Sequence, residues 1–413
     1  MMQSDELLAQ EAAPRDAQAL RIAVITAFPP GRSSLNEYGF HFVKALAAQD
    51  DVAEVVLLAD CGEDESSQLG GVTVEECWAP NRMGSALSIA LAVRRARPDA
   101  VLFNLQFATF GDRRVPGALG LLAPWLVRAM GFPTIVLLHN LADTVDMQVA
   151  GFARSKLAAR VMRLAGRFLT RALLRADLLA LTIPRYVEFV RSSYRSENVV
   201  LAPHGSFTDM PPASPADFAV PEGHRQIMAF GKWGTYKTVD VLVDAYRLLR
   251  ARGYDDLELV LAGTDSPNSP GYMAAVADRL SDLPGVRLTG YVAEQDVPDL
   301  FRSATVVAFP YQSTTGSSGV LHQAGEYGRA AVLPRIGDLI DIIEEEGFAG
   351  VYFEPGDPAS LADALAEVLD SPGRRVELGR RNHAAASGIP IVEVAHWYVV
   401  HLRRLLSDRT ATR

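Results

Sequence analysis

The chain has 413 residues, 49% hydrophobic and 22% charged, with 40 Lys and Arg against 49 Asp and Glu for a formal charge of −9. That length calls for two or more domains with cores of their own, and the composition excludes a disordered chain, a collagen-like repeat and a small disulfide scaffold. Two cysteines, Cys61 and Cys77, leave no disulfide framework and no zinc-ligand spacing, which suits a reducing cytoplasm.

In chain order the predicted strands of the first half are residues 22–26, 55–59, 100–104, 134–138, 178–182 and 199–202. Those of the second half are 227–230, 257–262, 286–289, 305–309, 331–333 and 351–353. Each run is short and apolar on both faces, and longer helical patterns separate them, as in parallel strands covered by helices on two sides. The alternation predicts an α/β protein of two doubly wound, Rossmann-like domains facing a central cleft. Pro211, Pro212, Pro215, Pro221 and Gly223 lie in a stretch without apolar periodicity, so the linker is assigned to 206–225, between domains at 1–205 and 226–385. Residues 386–413 are read as a terminal helix packing back on the first domain. In the second domain Asp357 is read as a helix cap, Pro358 as the first helical residue, and Leu361, Leu365 and Val368 as an apolar stripe.

The acidic start, with Asp5, Glu6 and Glu11, is not that of a signal peptide, and no uncharged apolar run reaches the length of a membrane span. The expected location is the cytoplasm, or the inner face of the membrane as a peripheral protein. Residues 1–200 hold 21 basic and 21 acidic side chains and the remainder 19 and 28, so the whole excess of acid falls in the second half. Nucleic-acid binding is excluded on that ground, because phosphate affinity needs an extended basic excess. One basic segment stands out: Arg154, Lys156, Arg160, Arg163, Arg167, Arg171 and Arg175 occur with no acid among them, and Leu157, Val161, Leu164, Phe168 and Leu169 give the segment an apolar side. It is either a solvated surface helix or a site of peripheral contact with an anionic membrane.

Four segments follow predicted strands and carry chemistry. Gly31, Arg32, Ser33 and Ser34 follow the first strand, where small residues let backbone amides approach an anion or a sugar hydroxyl; a plain strand-to-helix loop is the alternative. Gly231, Lys232 and Lys237 bracket Gly234 and Thr235 after the first strand of the second domain. Two ammonium groups at such a turn can neutralise a diphosphate, or can simply be solvated. Thr315, Gly316, Ser317, Ser318 and Gly319 offer hydroxyls and free amides at a predicted helix start, with Gln323 and Glu326 further along that helix. Such a run suits a phosphate or sugar, and Ser317 or Ser318 also suits an N-cap alone. His139 ends a parallel strand, the position that faces a ligand crevice, with Asp143 and Asp146 just beyond; a structural histidine is the alternative.

With these segments in this order, the chain resembles the retaining glycosyltransferases of family four, which have the GT-B fold. Gly231, Lys232 and Lys237 match the family's Gly-Arg-x-x-x-x-Lys element. Gly290-Tyr291-Val292 matches its nucleobase segment, and Ala262-Gly263-Thr264 and Glu354-Pro-Gly-Asp357 match two of its turns. The family's paired glutamates fall on Thr315 and Gln323, neither a carboxylate. The resemblance implies transfer of a hexose from a nucleotide diphosphate sugar, UDP or GDP, to a hydroxyl of a sugar, lipid-linked or small-molecule acceptor, without a metal or other cofactor and with retained configuration. It implies catalytic roles for Lys232, Lys237 and His139. The donor would contact Gly31, Arg32, Ser33, Gly231, Tyr291, Val292, Thr315, Gly316, Ser317, Ser318, Gly319, Gln323 and Glu326. Another GT-B enzyme such as a sugar epimerase, and a non-catalytic sugar-nucleotide binder, are the alternatives.

Overall fold

The computed structural model describes residues 19–28, 35–60, 70–141, 156–207, 225–235, 237–266, 268–280, 283–313 and 318–411. The first domain runs β1 (Leu20–Ile25), α1 (Asn36–Ala47), β2 (Val52–Asp60), β3 (Val72–Trp78), α2 (Ser85–Ala96), β4 (Ala100–Leu105), α3 (Arg114–Gly120), α4 (Ala123–Ala129), β5 (Thr134–Leu138), α5 (Lys156–Leu173), β6 (Leu178–Leu181), α6 (Pro184–Tyr194) and β7 (Val199–Leu201). The second runs β8 (Arg225–Trp233), α7 (Asp240–Ala251), β9 (Leu257–Asp265), α8 (Tyr272–Leu280), β10 (Val286–Gly290), α9 (Val297–Ser303), β11 (Val306–Ala308), α10 (Gly319–Glu326), β12 (Ala331–Pro334), α11 (Gly337–Glu346), β13 (Gly350–Phe353), α12 (Pro358–Asp370), α13 (Pro372–Ser387) and α14 (Ile391–Ala411).

Both sheets are parallel, ordered β3-β2-β1-β4-β5-β6-β7 and β10-β9-β8-β11-β12-β13. The strand order reverses between β1 and β4 in the first sheet and between β8 and β11 in the second. At such a switch point the connecting loops diverge to opposite faces and leave a crevice at the strands' carboxyl ends. These are the two doubly wound domains that the alternating pattern implies. β4 and β5 are buried along their whole lengths, which is why their sequences read as unbroken apolar runs. One strand escapes that signal: β3 lies at a sheet edge and is exposed or half-buried up to Trp78, so its Thr73, Glu75 and Glu76 disguise it.

The close pairing of β8 with β9 depends on a glycine. Gly263 has φ +109°, and a Cβ there would lie 1.9 Å from the Gly231 carbonyl oxygen. Asp357 caps α12, its Oδ1 accepting from the amides of Ala359 (2.9 Å) and Ser360 (3.1 Å), with Pro358 in the first turn; Leu361, Leu365 and Val368 are buried beneath it. The last helix, α14, crosses to the first domain. Tyr398 packs edge-on against Phe42 of α1, Arg403 pairs with Asp51 at 2.8 Å, and Arg409 pairs with Asp177 at 2.8 Å.

Candidate active site

At the first switch point, a chain of polar side chains ties three strands together. Thr26, just after β1, donates its hydroxyl to the Ala27 carbonyl (3.1 Å) and accepts from Asn104 Nδ2 (2.9 Å). That orients the Asn104 amide so that Oδ1 faces His139 Nε2, 2.7 Å away. The Nε2 nitrogen therefore carries the ring proton, and Nδ1 is left as an acceptor. Burial holds the His139 pKa down to about 3, so the ring is neutral at physiological pH. The ring of Tyr38 in α1 stands edge-on to it at 4.5 Å and edge-on to His204 at 4.7 Å.

The second switch point carries charge instead. Lys232 lies near the end of β8, paired in register with Thr264, and partial burial pulls its ammonium below the ordinary lysine range. Trp233 beside it is fully buried and donates Nε1 to the Ala262 carbonyl at 2.9 Å, which anchors the strand end. After the turn at Gly234, Lys237 forms an antiparallel bridge with Tyr311, three residues beyond β11, and its Nζ lies 4.4 Å above the Tyr311 ring. The segments leaving the two strands at the reversal point are thus paired directly.

Beyond Tyr311, helix α10 begins at Ser318 and Gly319. Ser318 holds the N-cap position, yet its hydroxyl makes no cap bond; it is buried and has no partner among the described residues. A buried hydroxyl at a helix start, where backbone amides also point outward, can donate to an added acceptor group. The helix is held from behind by a buried pair: His322 Nδ1 lies 3.0 Å from the Ser318 carbonyl, and Nε2 lies 2.7 Å from Glu346 at the end of α11. Burial opposes protonation of His322, but Glu346, the Ser318 carbonyl and Glu326 outweigh it and raise the pKa.

Two residues of α10 reach the first domain and a third reaches the start of the linker. His322 packs against His204 at 4.6 Å, Gln323 donates Nε2 to Glu37 Oε1 of α1 at 2.7 Å, and Glu326 Oε1 accepts from the Phe207 amide at 2.5 Å. The sequence reading counts Gln323 and Glu326 as donor contacts. Both are buried, Gln323 engaged with the first domain and Glu326 with the start of the linker, because α10 is the element that the second domain turns toward the first. Ser318, read as a possible N-cap, does not cap with its side chain.

Of the other candidates, Gly231 and Gly319 are half-buried at the second switch point. Tyr291 follows β10, two strands from β8, and is 78% exposed, with Val292 half-buried beside it. Gly31, Arg32, Ser33, Ser34, Asp143, Asp146, Thr315, Gly316 and Ser317 lie outside the described residues. Among the described residues no group of three His, Cys, Asp or Glu is disposed to hold a metal ion. Sequence reasoning missed Asn104, Glu37, His204 and His322. His204 alone carried a signal: it follows the predicted strand 199–202 just as His139 follows its own.

The family model for "Glycosyl transferases group 1" matches residues 224–371, the body of the second domain. A D-inositol 3-phosphate glycosyltransferase of Kineococcus radiotolerans is 29% identical over 214 residues, 49% of this chain and 49% of that protein. This match spans about half the length of that relative. One from Salinispora tropica is 26% identical over 362 residues, 82% of this chain and 71% of that protein. Among solved structures, Anabaena HepE in complex with UDP and glucose has a TM-score of 0.68 at 16% identity, covering 93% of this chain and 99% of that one. WaaG, a glycosyltransferase involved in lipopolysaccharide biosynthesis, has a TM-score of 0.67 at 13% identity, covering 92% and 99%.

Proposed function

We propose, from a group 1 glycosyltransferase domain set in a GT-B fold, that this chain moves a hexose from a nucleoside diphosphate sugar to a hydroxyl acceptor with retention of configuration. The donor belongs to the second domain, and the acceptor, a hydroxyl of a sugar, a lipid-linked or a small molecule, to the first. One observation carries the reading: Lys232 lies at the end of β8 and Lys237 follows it, the α10 amides and the buried Ser318 hydroxyl come after β11, and these two strands flank the reversal point of the second sheet.

In the reaction the bond from the anomeric carbon to the diphosphate oxygen breaks, and the electron pair leaves with the diphosphate. The two ammonium groups and the helix amides stabilise that growing charge, so no metal is assigned to the step. The acceptor oxygen bonds to the anomeric carbon on the same face, and its proton passes to the departing phosphate oxygen. His139, neutral and fixed in one tautomer, accepts a hydrogen bond from a sugar hydroxyl through Nδ1. Tyr291 offers an exposed ring to the base.

UDP is the first donor nucleotide to test, because HepE was solved with UDP and glucose. A thermal-shift panel of uridine, guanosine and adenosine diphosphates and their hexose conjugates tests the reading, since a ligand of the folded state raises the melting temperature by mass action. One diphosphate and its conjugate should stand out; no shift with any would refute the assignment. The absence of carboxylates at Thr315 and Gln323 favours a second reading, a sugar-nucleotide binder without turnover. Release of nucleotide from the stabilising conjugate on adding acceptor separates the two.

A further inference from the structure

The two faces of the first sheet are finished differently. On one, α1 is covered by α14, with Tyr398 seated on Phe42. On the other, α2, α4 and α5 lie side by side, because all three connect strands in the same direction and right-handed crossovers put them on one face. Nothing in the described chain covers that layer. Its outward side is apolar: Leu87 is 64% exposed, Leu91 55%, Trp125 45%, Leu164 60% and Phe168 62%. On α2, Leu87 and Leu91 stand one turn apart, as do Leu164 and Phe168 on α5, so these are stripes rather than scattered residues. Leu164 and Phe168 thus do not serve as the buried side of α5; Leu169 and Leu173 do.

The same side is cationic. From Arg82 to Arg97 the sequence holds four arginines and no acid, and Arg94, Arg95 and Arg97 line a shallow recess with Leu91 at the end of α2, where Arg95 is paired with Glu75 of β3. Arg160, Arg167 and Arg171 are exposed along α5, in a segment that also lacks acidic residues. A large exposed apolar area on a soluble domain marks an interaction surface. Arginines interleaved with leucine, phenylalanine and tryptophan specify its partner: aliphatic and aromatic groups enter the headgroup boundary, while guanidinium groups stay with lipid phosphates.

We propose that the α2–α4–α5 face of the first domain docks flat on an anionic lipid bilayer. The docking stands apart from the transfer reading and is tested without activity. Full-length protein is sedimented with vesicles of phosphatidylcholine alone, or with phosphatidylglycerol added. Native protein should pellet with the anionic vesicles only. L87S/L91S/L164S/F168S should lose that binding even at low salt, and R94E/R160E should weaken it at least about tenfold. These side chains are exposed, so circular dichroism should remain native; if the serine variant does not fold, R94E/R160E decides alone. The proposal is overturned if native protein ignores anionic vesicles, or if both variants bind like native. It is also overturned if the serine substitutions convert a dimer to a monomer without vesicle binding, which would give the face to a second copy of the chain.

Discussion

The two domains share an architecture and differ in what they hold at the reversal of strand order. The first presents uncharged groups, a Thr26–Asn104–His139 chain whose terminal imidazole is kept neutral by burial. The second, in the acidic half of the sequence, presents two lysines, a helix tip and a hydroxyl that has no partner among the described residues. The same geometric crevice is therefore made selective by its lining: the cationic one suits a diphosphate, the neutral one suits hydroxyls. A lysine pair in an acidic domain also concentrates attraction at one place, since the surrounding surface repels anions.

The sharpest way to break that contrast is to remove the charge from one side. K232A/K237A should lower turnover about ten-thousandfold, at roughly a hundredfold or more for each stabilising group, with an unchanged far-ultraviolet spectrum. Native-like turnover would mean that the second domain's charge is incidental. On the neutral side, N104A leaves the His139 tautomer unspecified. Activity should fall about a hundredfold through misplacement, and N104D should not restore it, because a carboxylate can accept from His139 but cannot donate to Thr26.

Across the boundary, Gln323 and Glu37 allow an exchange experiment. Q323E puts two carboxylates at a 2.7 Å contact and should weaken donor binding about tenfold by forcing the domains apart. The double variant E37Q/Q323E restores an amide–carboxylate pair in reverse and should recover most of the loss in a double-mutant cycle.

Stability against pH is the mildest expected effect, and its sign differs between domains. His322 has a raised pKa, so its contribution is fully present below the unfolded value of 6.5 and is lost as pH rises through the folded value. His139 and His204 have lowered values. The unfolded chain takes up protons on them below 6.5 while the folded chain does not, so they reduce stability as pH falls. Melting curves between pH 5 and 8 should show H322Q losing stability chiefly at the acidic end and H139N gaining relative stability there.

Much of the scaffold was legible because parallel, doubly covered strands must be short apolar runs, and twelve such runs mark twelve strands. β3 was hidden by its edge position, where one side needs no apolar residue. The candidate groups of the second domain were legible because their signals are local: Lys232 and Lys237 sit at the end of β8 and four residues past it, and Ser318 and Gly319 close a run of small polar residues before a helical pattern. Partnerships were not. Asn104 and His139 are 35 residues apart, and Glu37 and Gln323 are 286 apart. Their pairing is set by sheet order and domain contact, which no local pattern encodes. For the same reason Gln323 reads as a ligand contact in sequence and as a tie between domains in three dimensions. Leu164, Phe168 and Leu169 read as one apolar side of an amphipathic segment, and the structure divides them: Leu169 is buried while Leu164 and Phe168 are exposed.

Calorimetric titration of UDP and of uridine into native protein and into K232A/K237A isolates the diphosphate's share of binding. The account predicts that UDP binds native protein much more tightly than uridine does and that the substitutions erase this difference while leaving uridine unaffected. Equal loss for both ligands, or an undiminished preference for UDP in the variant, would contradict it.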